Sequence, residues 1–334
     1  MHFVKQNLLP VRDLFFHEMR QFFRDKGFLE TDTPILAPFL IPEPSFEVFS
    51  TLRLSDGKEG QKLYMVPSPE LWMKRLLASG ASGSQDIFQI SKCFRNSEPS
   101  SGIHLNEFTM LEWYARGRDY LYNTGLTEDL VIHLLEALGT DEKIKCRGTE
   151  VDLVAPFSRI SMRDAFLQHA SLDLDKCGET EELRKAAENR GISTMTDDSW
   201  EVLFHRIFLM LVEPGLPVDR PVFLSDYPAR VRTLAKQKPG GQYAERWELY
   251  IAGIEIANCY TEAAGEPWIR DFFQEERERK NALCRVIHPA DTELGEILSQ
   301  GKLPPCSGTA LGCDRLLMVL LGAENIQEVL PFRQ

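Results

Sequence analysis

Residues 87–114, IFQISKCFRNSEPSSGIHLNEFTMLEWY, constrain the fold more than any other stretch. Phe88, Ile90 and Phe94 share one parity, and Gln89, Ser91, Cys93 and Arg95 the other. That alternation predicts a strand with an apolar face and a polar face ending on an arginine. Turn-forming residues, Asn96 to Gly102, reverse the chain. On the return strand Phe108, Met110, Glu112 and Tyr114 share a face. An aromatic, a thioether, a carboxylate and a phenol make a poor core layer and a good pocket wall. A plain strand pair, one face buried and one exposed, is the simplest reading of the alternation alone.

The 334 residues allow one large or two modest domains, with ample core. At 43% hydrophobic and 26% charged, the composition is that of a soluble globular protein. A net charge of -12 disfavours non-specific nucleic-acid binding while leaving room for a local basic patch. The 7 cysteines show no CxxC spacing, which predicts reduced thiols in a cytoplasmic protein and neither a disulfide frame nor a zinc site. The start, MHFVKQNLLPVRD, lacks the apolar run of a signal peptide. No apolar run reaches the roughly 18 residues of a membrane span, so none is expected.

A helix is expected over 11–26, where Leu14, Phe15, Met19, Phe22 and Phe23 form a stripe that Gly27 terminates. Gly27 to Pro34 reads as a strand broken by proline, an edge or a strand end. Residues 40–62 read as loop, Tyr64 to Glu70 as a strand entering a turn, and Leu71 to Ala78 as a short helix. Residues 119–213 read as mostly helical and without chemistry, with isolated His133, His169 and His205 in structural roles. Another strand starts at Val222 to Leu224, and 270–286 reads as a charged helix with a solvated face.

Residues 246–262, RWELYIAGIEIANCYTE, predict a hairpin turning at Ala252-Gly253. Tyr250 then faces Glu255, Ile251 faces Ile254, and Glu248 lies diagonal to Glu255 on the same face. Like charges so placed need a cation, and oxygen ligands suit Mg²⁺ held through a nucleotide phosphate. Two acids on a solvated face is the alternative. The glycines of Gly308-Thr309-Ala310-Leu311-Gly312, followed by Cys313-Asp314-Arg315, admit either close approach of a ligand or strand–helix packing. GxGxxG and GxxxxGK[ST] are both missing, so dinucleotide-fold and P-loop readings have no anchor.

Arg95, Glu98 and Glu107-Phe108 resemble the second signature motif of class II aminoacyl-tRNA synthetases. Gly27–Pro34 resembles the first, with its proline at a dimer interface, and Gly308–Leu316 the third. His104 through Tyr114, and the Glu248/Glu255 hairpin, are similar to the lysyl branch. The resemblance spans essentially the whole chain and implies an α+β fold, an antiparallel sheet flanked by helices. It implies amino-acid activation by ATP and Mg²⁺ in a homodimer. Arg95 would hold the α-phosphate and substrate carboxylate, Phe108 the adenine, and Arg315 the adenine and γ-phosphate. Asn96, Glu98, Ile256 and Gly312 would complete the nucleotide site, and Glu248 and Glu255 would hold the metal. Arg95, Arg315 and Glu255 would carry the catalysis. Glu70, Glu112, Tyr114, Asn258 and Glu262 match positions of the lysine pocket. A buried ammonium needs such acceptors.

The first motif begins within 30 residues of the start, so one catalytic domain over 1–334 is expected, with a mostly helical insertion around 155–220 and no anticodon-binding domain. That form resembles the elongation factor P lysine ligases, which attach lysine or (R)-β-lysine to a lysine of elongation factor P. Ser68 and Ala310 match that branch, where tRNA ligases usually carry alanine and glycine. Arg230, Arg232, Lys236 and Lys238 form a candidate basic docking surface for that acceptor, or an ordinary solvated loop. Departures are the longer Arg95-Asn96-Ser97-Glu98 loop, Leu105 in place of asparagine, and Ala263-Ala264 after Glu262. The alternatives are an adenylate-forming ligase acting on tRNA or a small molecule, and a non-catalytic regulatory paralog. Intact Arg95, Glu255 and Arg315 weigh against the latter.

Overall fold

The computed structural model describes residues 8–55, 58–98 and 101–332. Residues 1–7, 56–57 of the expected 40–62 loop, and Pro99 and Ser100 of the turn lie outside the described residues. In chain order the elements are α1 (Leu8–Asp25), β1 (Leu29–Glu30), β2 (Leu36–Ala37), β3 (Ser50–Ser55), β4 (Lys58–Met65) and α2 (Glu70–Ser79). Then come β5 (Ile87–Phe94), β6 (Glu107–Arg116), α3 (Tyr120–Ala137), β7 (Lys143–Cys146), β8 (Thr149–Asp152) and β9 (Ser158–Ser161). After them follow α4 (Met162–Ala170), α5 (Thr180–Glu188), α6 (Trp200–Ile207), β10 (Val222–Pro228), β11 (Tyr243–Ile251) and β12 (Ile254–Thr261). The chain closes with α7 (Trp268–Leu283), α8 (Thr292–Ser299), β13 (Cys306–Gly312) and α9 (Cys313–Leu320).

Eight strands form one sheet in the order β1-β5-β6-β13-β12-β11-β10-β9. From β5 to β10 every neighbour is antiparallel. Only the short edge strands β1 and β9 pair in parallel. The period-2 pattern of β6 explains how the sheet is covered. Leu111, Trp113 and Ala115 join Phe15, Met19 and Phe23 of α1, Leu130 and Leu134 of α3, and Leu316 and Leu320 of α9 in one core. The Trp113 indole donates to Asn123 Oδ1 at 2.9 Å, which satisfies both polar groups inside that core. The opposite face of β6 is free of these helices and floors a cavity. Residues of α2, α7, α8 and the small sheet β2-β4-β3 pack beside it as a second core. A third core, with Phe166, Leu203 and Phe204, seats α4–α6 against Val222 and Leu224 of β10.

Three sequence expectations change. The stretch 50–62, expected as loop, forms most of a hairpin, β3–β4, whose last residues Tyr64 and Met65 were expected as strand. Its Leu52 and Leu54 are exposed, so no buried face marks it in the sequence. Strands β7–β9 interrupt the stretch read as mostly helical. Helix α7 does not present only charge, because it buries Ile269, Phe272, Phe273, Glu276 and Lys280. The 246–262 hairpin turns where expected, with Ala252 (φ 54°) and Gly253 (φ 70°) both left-handed, as its two-residue turn requires. Tyr250 faces Glu255, but the register then shifts so that Leu249 faces Ala257 and Glu248 faces Asn258. This bulge at Ile256 was not legible in the residue pattern.

Candidate active site

Strand register lays the site out in rows. One runs Gln89–Glu112–Ala310–Asn258–Glu248 across five strands. The next runs Ile87–Tyr114–Gly308–Tyr260–Arg246. Directly paired residues share a sheet face, so the carboxylates and phenols converge by register. A Cβ on Gly308 would stand 2.6 Å from the Tyr114 ring. That glycine therefore seats Tyr114 in the floor. The cavity above has a volume of about 680 Å³ and is lined by Ser68, Glu70, Arg95, Glu98, Phe108, Glu112, Tyr114, Glu248, Glu255, Ile256, Asn258, Glu262, Ala310, Gly312 and Arg315. Asn96 is not among its lining residues. Its N–H donates to Glu47 O at 2.9 Å and its Oδ1 accepts from Ser97 N at 2.9 Å, so it closes the loop instead.

One end of the cavity is closed and acidic. Glu70 Oε1 accepts from Lys74 Nζ at 2.7 Å and from the Tyr260 hydroxyl at 2.8 Å. Lys74 Nζ also lies 2.7 Å from Glu262 Oε2. The Tyr114 hydroxyl donates to Glu112 Oε1 at 2.7 Å. Ser68 Oγ accepts from Glu70 N at 3.3 Å and so fixes the start of α2. Glu112 Oε2 and Glu262 Oε1 are buried and have no partner among the described residues, while Glu262 Oε2 meets Lys74 as a close ion pair and makes no aligned hydrogen bond. Burial, then the Glu70 charge, raises Glu112 well above the usual carboxylate range. Burial pushes Glu262 up to about 7, and burial with Glu70 does the same for Glu43 on the loop above. Acceptors this costly to bury ionised call for a cation.

The other end carries cations with unused donors. The Arg95 guanidinium lies 4.9 Å from the Phe46 ring centre and 5.3 Å from that of Phe108. Its Nε is buried and unpartnered among the described residues, a geometry suited to an anion. Arg315 is anchored by Nε to Ile103 O at 3.1 Å and by Nη1 to Glu255 O at 2.9 Å. His104 is held below its usual range by burial and by Arg315, so it adds no cation here. Glu248 accepts from Arg246 Nη2 at 2.6 Å and from the Tyr250 hydroxyl at 2.8 Å. Burial and the Glu248 charge push Glu255 up to about 7. Two oxygen donors repelling each other fit a hard divalent cation. No cluster of three or more His, Cys, Asp or Glu able to hold a metal occurs among the described residues, so further ligands would have to come from phosphate oxygens or water.

A class II tRNA synthetase (D, K and N) family model matches residues 2–334. The chain belongs to that family. It is 38% identical over 323 residues to the elongation factor P--(R)-beta-lysine ligase of Yersinia enterocolitica, covering 94% of this chain and 91% of that protein. The same-named protein of Photorhabdus laumondii is 35% identical over 320 residues, again with 94% and 91% covered. The lysine--tRNA ligase of Pelotomaculum thermopropionicum is 35% identical over 331 residues, 98% of this chain and 63% of that protein.

Several residues that build the site were not singled out from sequence. Lys74 and Tyr260 sit inside the acidic end, and a segment without a motif brings Glu43 to the cavity wall and Phe46 against Arg95 at the other end. Asp314, beside the motif arginine, accepts from Thr109 N at 2.7 Å and pairs with Arg12 at 2.9 Å, tying α9 to β6 and α1. His205 lines the cavity, and His133 pairs with Glu18 at 3.1 Å in the structural role expected of it. The basic cluster is not a free surface. Arg230 meets Glu179 at 3.7 Å, Arg232 meets Glu276 at 3.1 Å, Lys236 meets Glu245 at 3.7 Å and Lys238 meets Asp226 at 2.9 Å. Glu179 and Glu276 come from distant sequence and Asp226 and Glu245 from the flanking strands, and together they pair a charge run that looks open in one dimension. The cysteines are all free. No helix among the described residues is long and apolar enough to cross a membrane.

Proposed function

We propose that this protein activates lysine or (R)-β-lysine with ATP as an aminoacyl-adenylate and transfers it to a lysine side chain of elongation factor P. The observation that carries the reading is the shared cavity, with buried carboxylates Glu70, Glu112 and Glu262 at one end and arginines Arg95 and Arg315 at the other. The names of the relatives supply the acceptor. The substrate carboxylate attacks the α-phosphorus in line, and the bond from that phosphorus to the α,β-bridging oxygen breaks to release pyrophosphate. The acceptor amine then attacks the acyl carbon, AMP leaves, and the amine loses a proton. Charge grows on phosphoryl oxygens, where Arg95 and Arg315 act by preorganised electrostatics. Phe108 offers a ring for adenine, with Glu98, Ile256 and Gly312 around the nucleotide. Glu70, Glu112, Tyr114, Asn258 and Glu262 receive the amines, shaped by Ser68 and Ala310. Glu248 and Glu255 would hold Mg²⁺, whose chemistry is to neutralise phosphate charge.

We read the chain as one catalytic unit with a helical insertion around 155–220, acting in the cytoplasm. A homodimer is proposed through the β1–β3 region, where Leu29, Ile35, Leu36, Leu52 and Leu54 are exposed. A single monomeric mass by light scattering across micromolar concentrations would count against it. The activity is tested by pyrophosphate exchange with each lysine isomer, then mass spectrometry of elongation factor P beside charging of total tRNA. Efficient tRNA charging with an unmodified factor would return the chain to the tRNA ligases.

A further inference from the structure

Lys74 on α2 has no exposed surface, yet it brings a charge into the most acidic part of the cavity. Its Nζ lies 2.7 Å from Glu70 Oε1, 2.7 Å from Glu262 Oε2 and 3.1 Å from the Tyr260 hydroxyl. It also stands 5.1 Å from the centre of the Tyr260 ring. Glu70, Glu112 and Glu262 converge here, and carboxylates this buried stay together only with compensating charge. Lys74 engages one oxygen of Glu70 and one of Glu262. Glu262 Oε1 and Glu112 Oε2 remain without a hydrogen-bond partner among the described residues, and once ionised they can only accept.

We propose that Lys74 is a positioning residue of the amine subsite: it holds Glu70 and Glu262 converged and leaves the free oxygens of Glu262 and Glu112 to a substrate ammonium, so that the pocket demands a second amine on the amino acid it activates. The inference rests on the activity proposed above and names what enforces its substrate class. Three carboxylates balance Lys74 and the two ammoniums of a diamino acid. A monoamino acid leaves one buried negative charge uncompensated, which is the costly state. Lys74 contributes selectivity because it is already charged and fixed before substrate arrives.

The groups facing Lys74 are Glu70 from its own helix, Tyr260 from β12, Glu262 just after β12, and Glu112 from β6, whose neighbour Tyr114 donates to it. Cys306 of β13 and Glu43 of the loop before β3 complete them. Burial opposes the charge on Lys74, but Glu262 and Glu70 outweigh it and hold the ammonium above lysine's usual range. Lys74 in turn draws Glu262, Glu112 and Glu43 down from where burial alone would push them.

The test is pyrophosphate exchange driven by lysine (or whichever isomer the protein takes) and by norleucine, across about pH 6–9, where these groups titrate. Wild type, Lys74→Met, Lys74→Arg and Tyr260→Phe are compared. Lys74→Met is expected to raise the KM for lysine about tenfold at pH 7, one unit's worth of proton competition, and to move the pH at which KM levels off upward by about one unit. Its preference for lysine over norleucine falls about tenfold while the KM for ATP stays unchanged. Lys74→Arg recovers part of that preference, and Tyr260→Phe shifts both readouts the same way by a smaller factor. A Lys74→Met protein with wild-type preference and pH profile overturns the proposal. Should that variant fail to fold, Tyr260→Phe with neither readout altered does the same. No exchange with either lysine isomer in wild type strikes the proposed activity instead.

Discussion

The two ends of the cavity are built on opposite plans. At the amine end the side chains already bind one another, Tyr114 to Glu112, Tyr260 to Glu70, and Lys74 to Glu70 and Glu262. At the nucleotide end Arg95 is held by ring faces, which leave its Nε donor unspent among the described residues. The difference follows from what each end must do. An ammonium is recognised by a few fixed acceptors, so preorganisation costs little mobility and yields specificity. Phosphates bring several charges that move during reaction, so donors must stay uncommitted until those charges arrive. Variants at the closed end should therefore change which amino acid is used, and variants at the open end how fast.

The largest effect that would sharpen this contrast is at Arg315. Arg315→Ala should lower pyrophosphate exchange by a factor of about 100–1,000 or more, the roughly 3–4 kcal/mol of one transition-state donor. Undiminished exchange would remove it from the mechanism. Next is the scaffold beneath the open end. Arg12→Leu leaves Asp314 buried without its cation, and should cost about 3–5 kcal/mol of stability in chemical denaturation. An unchanged midpoint would show that the pair carries no structural weight.

Glu262→Gln tests the closed end. The KM for lysine should rise about 10–100-fold with the KM for ATP unchanged, as for loss of one charged hydrogen bond at roughly 1.5–3 kcal/mol. A matched rise in both would break the division between the ends. Phe108→Leu should do the reverse, raising the KM for ATP by about 5–30-fold through loss of about 1–2 kcal/mol of stacking while sparing lysine.

The smallest effect is in pH. Glu262 and Glu43, pushed up to about 7, lie above their unfolded values, so the folded protein binds more protons than the unfolded chain between about pH 4.5 and 7. Stability of the empty protein contributed by these groups is present below that window and is lost as pH rises through it. Lysine binds the ionised carboxylates, so its thermal stabilisation should be larger near pH 8 than near pH 6, by up to about 1.4 kcal/mol per proton released and per unit. Equal shifts at both values would mean that the carboxylates are ionised throughout.

The period-2 pattern of β5 and β6, the Ala252-Gly253 turn and the Gly27 helix end were all legible in the residues, because each is a local steric preference. Motif wording added the family, and with it the residues that line the cavity. Most of the β3–β4 hairpin was not legible, since Leu52 and Leu54 are exposed and only its end, at Tyr64, enters the core. Nor were the roles of Lys74, Tyr260 and Glu43, which exist only through partners far away in sequence. A lone lysine at the fifth position of a short helix carries no signal until Glu262, just past the end of β12 and almost two hundred residues on, lies against it. The same holds in reverse for the basic run from Arg230 to Lys238, a patch in one dimension that folding neutralises acid by acid. Backbone conformation answers to neighbours a few residues away. Burial and Coulomb energy answer to whatever the sheet register brings within a few ångströms, and that only the tertiary structure decides.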